Sequence, residues 1–186
     1  LLDNAFSKED LISGIKVLIS GQLTMSKKTR DFEKEFANKL GKKYALMVNS
    51  GSSANLISTA ILRELYGEGE VIVPPLTWVS DIASVLQNGF KPVFADINPK
   101  TLSMDTEKII EKITPRTKAV FLTHVQGFNG LSDRLLFELE RKQVPLIEDV
   151  CESHGATFKD KKLGSYGLIS NFSFYYAHHM LSLIHI

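Results

Sequence analysis

The chain has 186 residues, 44% hydrophobic and 23% charged, with a formal net charge of +1. That composition belongs to a folded domain with a real core, and it excludes a disordered chain and any global electrostatic case for nucleic acid. The single cysteine, Cys151, excludes an internal disulfide framework and fits a reducing, cytoplasmic compartment, and no apolar run approaches the roughly 20 residues that span a bilayer.

The first elements read as helices. Ser7 with Asp10 three residues on resembles a capping box, Leu11, Ile15 and Leu18 recur at helical spacing, and Gly21 ends the run. A second helix follows Ser26, with Phe32, Phe36 and Leu40 on one face and Gly41 as its stop. Alternation then begins. Strands are expected at Tyr44 to Val48, Glu70 to Val73, Pro92 to Ala95, Ala119 to Thr123 and Pro145 to Ile147. Helices are expected at Ser52 to Tyr66, Val79 to Gln87, Thr106 to Ile113 and Ser132 to Arg141. This order predicts an α/β fold, a mostly parallel sheet covered by helices on both faces, with ligands at the carboxyl ends of the strands.

Four segments at such positions could carry chemistry. Asn49-Ser50-Gly51-Ser52-Ser53-Ala54-Asn55 links a strand to a helix, where small residues let backbone N–H groups approach an anion. A tight turn with a serine cap is the plainer alternative. Trp78, closing Pro74-Pro75-Leu76-Thr77-Trp78, is either a stacking platform for a planar ring or part of the core. Glu148-Asp149 ends an apolar strand, where a buried acid needs a partner such as a pyridinium nitrogen, or else serves as a cap or surface acid. His178 and His179 follow Phe172-Ser173-Phe174. Neighbouring side chains on a strand point apart, so joint metal ligation is awkward and no metal site is expected. A lone imidazole, titrating near neutrality, suits a general base or a structural hydrogen bond.

These pieces, in this order, resemble the DegT/DnrJ-type sugar aminotransferases, pyridoxal 5'-phosphate (PLP) enzymes with the aspartate aminotransferase fold. The resemblance runs from about Phe6 to Met180 and includes Ser20 to Thr24, Val48 to Asn55, Val71 to Trp78, Pro92 to Asp96, Ile147 to Asp149, Leu163 to Gly167 and Phe172 to Phe174. It implies the large PLP-binding domain of a fold type I transferase, truncated. Gly51, Ser52 and Ser173 would hold the phosphate, Trp78 would stack on the ring, and Asp149 would pair with the ring nitrogen. Glu152 would lie near the phenolic oxygen, and His124 would line the pocket.

Position 178 departs from the main pattern. The family places its Schiff-base lysine four residues beyond the second phenylalanine of Phe172-Ser173-Phe174, where this chain has His178. Imidazole has no primary amine to make that link. The histidine resembles one branch of the family, the nucleotide-sugar 3-dehydratases, which also resemble Cys151 to Ala156 and Ala177 to Met180. Some members of that branch carry an iron–sulfur cluster, but Cys151 reads as a buried inert thiol. The branch implies pyridoxamine 5'-phosphate (PMP) joining the 4-keto group of a 4-keto-6-deoxy nucleotide sugar. In that branch's chemistry His178 would remove a proton from the cofactor's methylene carbon, and the 3-hydroxyl would leave. An amino donor such as glutamate regenerates the cofactor, and a homodimer is implied. A sugar aminotransferase and a non-catalytic domain on the same fold are the alternatives.

Both ends of the chain read as cut. Residues 1–180 are expected to be an N-terminal segment plus an incomplete large domain, residues 181–186 look like an artefactual tail, and the C-terminal small domain is expected to lie outside the sequence.

Overall fold

The computed structural model describes residues 7–175 and residue 178. The chain divides into two compact units, Leu1–Met47 and Val48–Ile186. The first contains helices α1 (Lys8–Ser20) and α2 (Lys27–Leu40). Ser7 and Asp10 form the expected capping box, in which the Ser7 side chain accepts from the Asp10 N–H and the Asp10 carboxylate accepts from the Ser7 N–H at 2.9 Å. Both helices stop at glycines in the left-handed region, Gly21 and Gly41, each at φ 69°.

Tyr44 to Val48 belongs to no strand, which corrects the expectation for that segment. An apolar run becomes a strand only when a neighbouring strand pairs with it; here, among the described residues, no strand does, and the Met47 N–H is taken instead by the Glu33 carboxylate at 2.8 Å.

The second unit holds α3 (Gly51–Tyr66), β1 (Glu70–Val73), α4 (Val79–Gln87), β2 (Lys91–Phe94), α5 (Thr106–Lys112), β3 (Thr117–Thr123), α6 (Asp133–Arg141), β4 (Leu146–Asp149), β5 (Thr157–Phe158), β6 (Lys161–Lys162) and β7 (Ile169–Asn171). Five strands form one sheet in the order β2-β1-β3-β4-β7, and every pairing is parallel.

Alternation along the strands feeds two cores. Val71, Val73, Ala119, Phe121 and Ile147 pack with Leu62 of α3 and Val85 of α4. Ile72, Val120, Leu122 and Leu146 pack with Ile109 of α5 and with Leu135 and Leu139 of α6. The central strands β1, β3 and β4 therefore bury both faces between two helix layers, as the run of apolar β-branched residues predicts, whereas the edge strand β2 stays partly exposed. Burying each such side chain stabilises the fold by about 1.5–3 kcal/mol. The antiparallel β5–β6 hairpin has no counterpart in the expected elements. Its two-residue turn, Lys159-Asp160, adopts positive φ at both positions (46° and 62°) without the Asn-Gly signal that usually marks such a turn.

Candidate cofactor site

The carboxyl ends of β1, β3, β4 and β7 and the start of α3 converge on one edge of the sheet. Ser50 caps α3 by accepting from the Ser53 N–H at 3.1 Å, so the N–H groups of Gly51 and Ser52 open the helix ahead of it. A Cβ added to Gly51 would stand 3.0 Å from Ser173 Cβ and 3.3 Å from both Ser173 Oγ and Cys151 Sγ. The structure thus brings Gly51, Cys151 and Ser173 together across 122 positions of sequence difference between Gly51 and Ser173. Only a residue without a side chain leaves that approach open. Ser52 is exposed and Ser173 is buried.

Ser173 also organises the segment behind it. Its carbonyl lies 2.8 Å from His154 Nε2 and 3.3 Å from His178 Nδ1. A carbonyl only accepts, so each of these nitrogens is assigned its hydrogen by the contact. His178 then donates from Nδ1, leaving Nε2 as its other ring nitrogen, with the ring set edgewise against Tyr175 at 5.8 Å. His154 is in turn set edgewise between Phe172 and Phe174.

Asp149 ends β4 and is 3% exposed. Its Oδ1 accepts the Cys151 N–H at 2.8 Å, and its Oδ2 lies 3.4 Å from Asn55 Nδ2. The same Asn55 nitrogen lies 2.6 Å from Oδ1 of Asp81, on the first turn of α4. Asp81 is fully buried, and its Oδ2 also contacts the hydroxyls of Thr77 and, at 2.8 Å, of Thr123. Burial first, and the Asp149 charge second, push the Asp81 carboxyl up to about 8. Cys151 is half-buried, and burial, reinforced by Asp149, likewise pushes its thiol well above its ordinary range.

Trp78 stands one residue beyond Thr77, at the start of α4, and is 68% exposed. Half-buried Glu152 accepts the Gln126 N–H at 3.1 Å and so holds a turn in which Gln126 has φ 49°. Ser153 steadies the same turn, accepting from Gly127 at 2.9 Å and donating to the His124 carbonyl at 2.5 Å.

His124 does not line an open pocket, which corrects that expectation. Its side chain is fully buried; Nδ1 accepts the Gly130 N–H at 3.1 Å, leaving Nε2 to donate to Glu148 at 3.1 Å. Glu148 further accepts from Gly164 (2.8 Å), Tyr166 (2.9 Å) and Gly167 (2.6 Å). Burial raises the Glu148 carboxyl, but the His124 hydrogen bond and the Gly164 and Gly167 N–H groups outweigh it, so the net shift is downward. Of the two acids ending β4, Glu148 ties down the loop ahead of β7, whereas Asp149 faces the cluster with Asn55 and Asp81.

Asp81 and His154 were not singled out from the sequence. An acid in the first turn of a helix is ordinary dipole complementarity, so Asp81 carried no signal of its own. The spacing of Thr77 and Asp81, four apart at a helix start, is the trace that could have drawn notice.

The chain superposes on the Escherichia coli GDP-4-keto-6-deoxy-D-mannose-3-dehydratase with bound hydrated PLP at a TM-score of 0.93. Identity is 34%, covering 98% of this chain and 48% of that one. The fold is therefore that of the PLP-dependent aminotransferases. The model of the DegT/DnrJ/EryC1/StrS aminotransferase family matches residues 5–183, and the chain belongs to that family. It is 34% identical, over 98% of its length and 48% of the relative, to GDP-4-keto-6-deoxy-D-mannose 3-dehydratase of Yersinia pseudotuberculosis. It is 36% identical, over 86% of its length and 44% of the relative, to dTDP-3-amino-3,6-dideoxy-alpha-D-galactopyranose transaminase of Aneurinibacillus thermoaerophilus. The chain spans about half the length of the curated relatives it matches. Among the described residues, no helix is long and apolar enough to cross a membrane.

Proposed function

We propose that this chain is the cofactor-binding part of a PLP/PMP-dependent nucleotide-sugar 3-dehydratase, which removes the 3-hydroxyl of a 4-keto-6-deoxy sugar in deoxysugar and polysaccharide biosynthesis. A GDP-linked sugar is the substrate class favoured by the relative of 34% identity over 98% of this chain. The observation that carries the reading is His178. It stands where the family's Schiff-base lysine is expected, and its Nδ1 is tied to the Ser173 carbonyl at 3.3 Å, leaving Nε2 as a base.

Three features support the fit to the cofactor. The approach between Gly51 and Ser173 would be filled by a Cβ. Among the described residues, the buried carboxyl of Asp149 has no Lys or Arg partner and Asn55 Oδ1 has no hydrogen-bond partner. The cofactor would supply an electron-withdrawing pyridinium ring next to the reacting sugar.

In this reading Gly51 and Ser52 donate backbone N–H groups, and Ser173 its hydroxyl, to the phosphate. Asp149 holds a proton at the ring nitrogen. Trp78 covers one face of the ring and excludes water, and Glu152 sits by the phenolic oxygen. His178 Nε2 takes up the proton whose removal precedes loss of the hydroxyl. An amino donor such as glutamate replenishes the aminated cofactor, and a second subunit completes the site.

Borohydride treatment of the PLP-loaded full-length protein tests the reading. With His178 the cofactor stays removable, because no lysine link exists to be reduced. Cofactor retained covalently would sink the histidine reading and favour an aminotransferase.

A further inference from the structure

Asp81 and Asp149 form a buried pair of carboxyl groups at the ends of two neighbouring elements. Asn55 Nδ2 lies between them, 2.6 Å from Asp81 Oδ1 and 3.4 Å from Asp149 Oδ2. Asp81 is 0% exposed and Asp149 is 3% exposed. Among the described residues, neither makes an ion pair with Lys or Arg. Two adjacent buried negative charges with no cation are strongly disfavoured, so such a pair keeps one proton.

Counting hydrogens locates it. Thr77 Oγ1, Thr123 Oγ1 and Asp81 Oδ2 form a closed triangle. Thr123 lies 2.8 Å from Asp81, the two hydroxyls lie 2.7 Å apart, and Thr77 contacts Asp81 closely. Two hydroxyl hydrogens fill two of these three contacts. The third requires a hydrogen on Asp81. Asp149 Oδ1 instead accepts the Cys151 N–H at 2.8 Å, a backbone donor that cannot turn to accept a proton as the two threonine hydroxyls can.

We propose that Asp81 is a positioning residue that keeps the pair's proton within the Thr77–Thr123 triangle, so that Asp149 alone carries the charge offered to the ring nitrogen. The assignment of Asp149 to that nitrogen rests on the proposed function; the location of the proton does not. Burial and the Asp149 charge push the Asp81 carboxyl up by more than the Thr77 and Thr123 hydroxyls draw it down, which agrees with a retained proton. Among the described residues, the Cys151 thiol also faces the pair, and burial and the Asp149 charge push it up, so it stays neutral.

The test is difference infrared spectroscopy of the cofactor-free full-length protein at neutral pH, paired with PLP titrations. Asp81→Asn should remove one protonated-carboxyl band, and Asp149→Asn should leave that band in place. PLP affinity in Asp81→Asn, which preserves a neutral hydrogen-bonding group, should stay within about threefold, whereas Asp81→Leu should lose roughly tenfold or more.

The proposal is overturned if the band disappears in Asp149→Asn instead, or if Asp81→Asn removes none. It is also overturned if Asp81→Asn weakens PLP as much as Asp149→Asn does. If Asp149→Asn leaves PLP binding untouched while the band behaves as expected, the cofactor reading fails and the proton assignment stands. Should Asp81→Asn fold poorly, carboxyl-carbon NMR of the wild type decides: one aspartate should remain neutral to about pH 8, and none doing so overturns the proposal.

Discussion

The imidazole Nδ1 of His178 lies 3.3 Å from the carbonyl oxygen of Ser173, the residue whose hydroxyl side faces Gly51. One residue therefore links the proposed phosphate cradle to the proposed base. His154 shares that carbonyl at 2.8 Å. His154→Phe keeps an aromatic ring between Phe172 and Phe174 but deletes the donor. It should cost about 1 kcal/mol of stability. It should also lower kcat more than it raises KM, because it loosens the placement of His178. Thermal unfolding and a kcat-against-KM comparison check this.

Gly51→Ala places a methyl 3.0 Å from Ser173 Cβ and 3.3 Å from its Oγ. The expected result is a folded protein whose PLP affinity falls at least tenfold, about 1.4 kcal/mol. Absorbance titration of the cofactor measures it, with circular dichroism as the check on folding.

Glu148→Gln should destabilise the protein by about 3 kcal/mol, because Glu148 accepts from His124, Gly164, Tyr166 and Gly167 in a fully buried position. The pH dependence follows from its downward shift from 4.5. The folded state binds this proton less tightly than the unfolded chain. The stabilisation is therefore present above the unfolded value and is lost as pH falls through the folded one. Urea unfolding of wild type and variant should converge in acid.

Asp81 has the opposite sign. Its carboxyl moves from 3.8 up to about 8 in the fold, so between those values the folded state holds a proton that the unfolded chain has released. Its contribution is fully present below about pH 4 and is lost progressively as pH rises to about 8. Relative to Asp81→Asn, the cofactor-free wild type should lose stability from pH 5 to pH 8. A constant difference across that range would contradict the assignment.

The fold was legible where local rules and tertiary packing agree. The capping box at Ser7 and the glycine stops at Gly21 and Gly41 are written in adjacent residues. Strands β1, β3 and β4 appear as apolar runs because both faces are buried. Tyr44 to Val48 has the same apolar character but lacks a pairing neighbour among the described residues, and pairing is not a local property. Gly51, Asp149 and Ser173, which we propose as cofactor residues, were picked out by motif and family resemblance, and the structure brings Gly51 and Ser173 together. Asp81 was not, because its significance arises from Asn55, Thr77, Thr123 and Asp149, which only the fold assembles. His124 was misplaced because a polar residue at a strand end can face the ligand edge or turn inward to a buried acid, here Glu148. The reading of residues 181–186, and of His179, concerns residues outside those described.

The central claim is that His178 serves dehydration rather than amino transfer. The most direct measurement is mass spectrometry of the sugar product when the full-length protein is given a GDP-linked 4-keto-6-deoxy sugar, PLP and glutamate. The account predicts a sugar that has lost its 3-hydroxyl in the wild type, and loss of that product in His178→Asn with PLP binding retained. A product aminated at the 4-position with its 3-hydroxyl intact, or undiminished dehydration in His178→Asn, would contradict it.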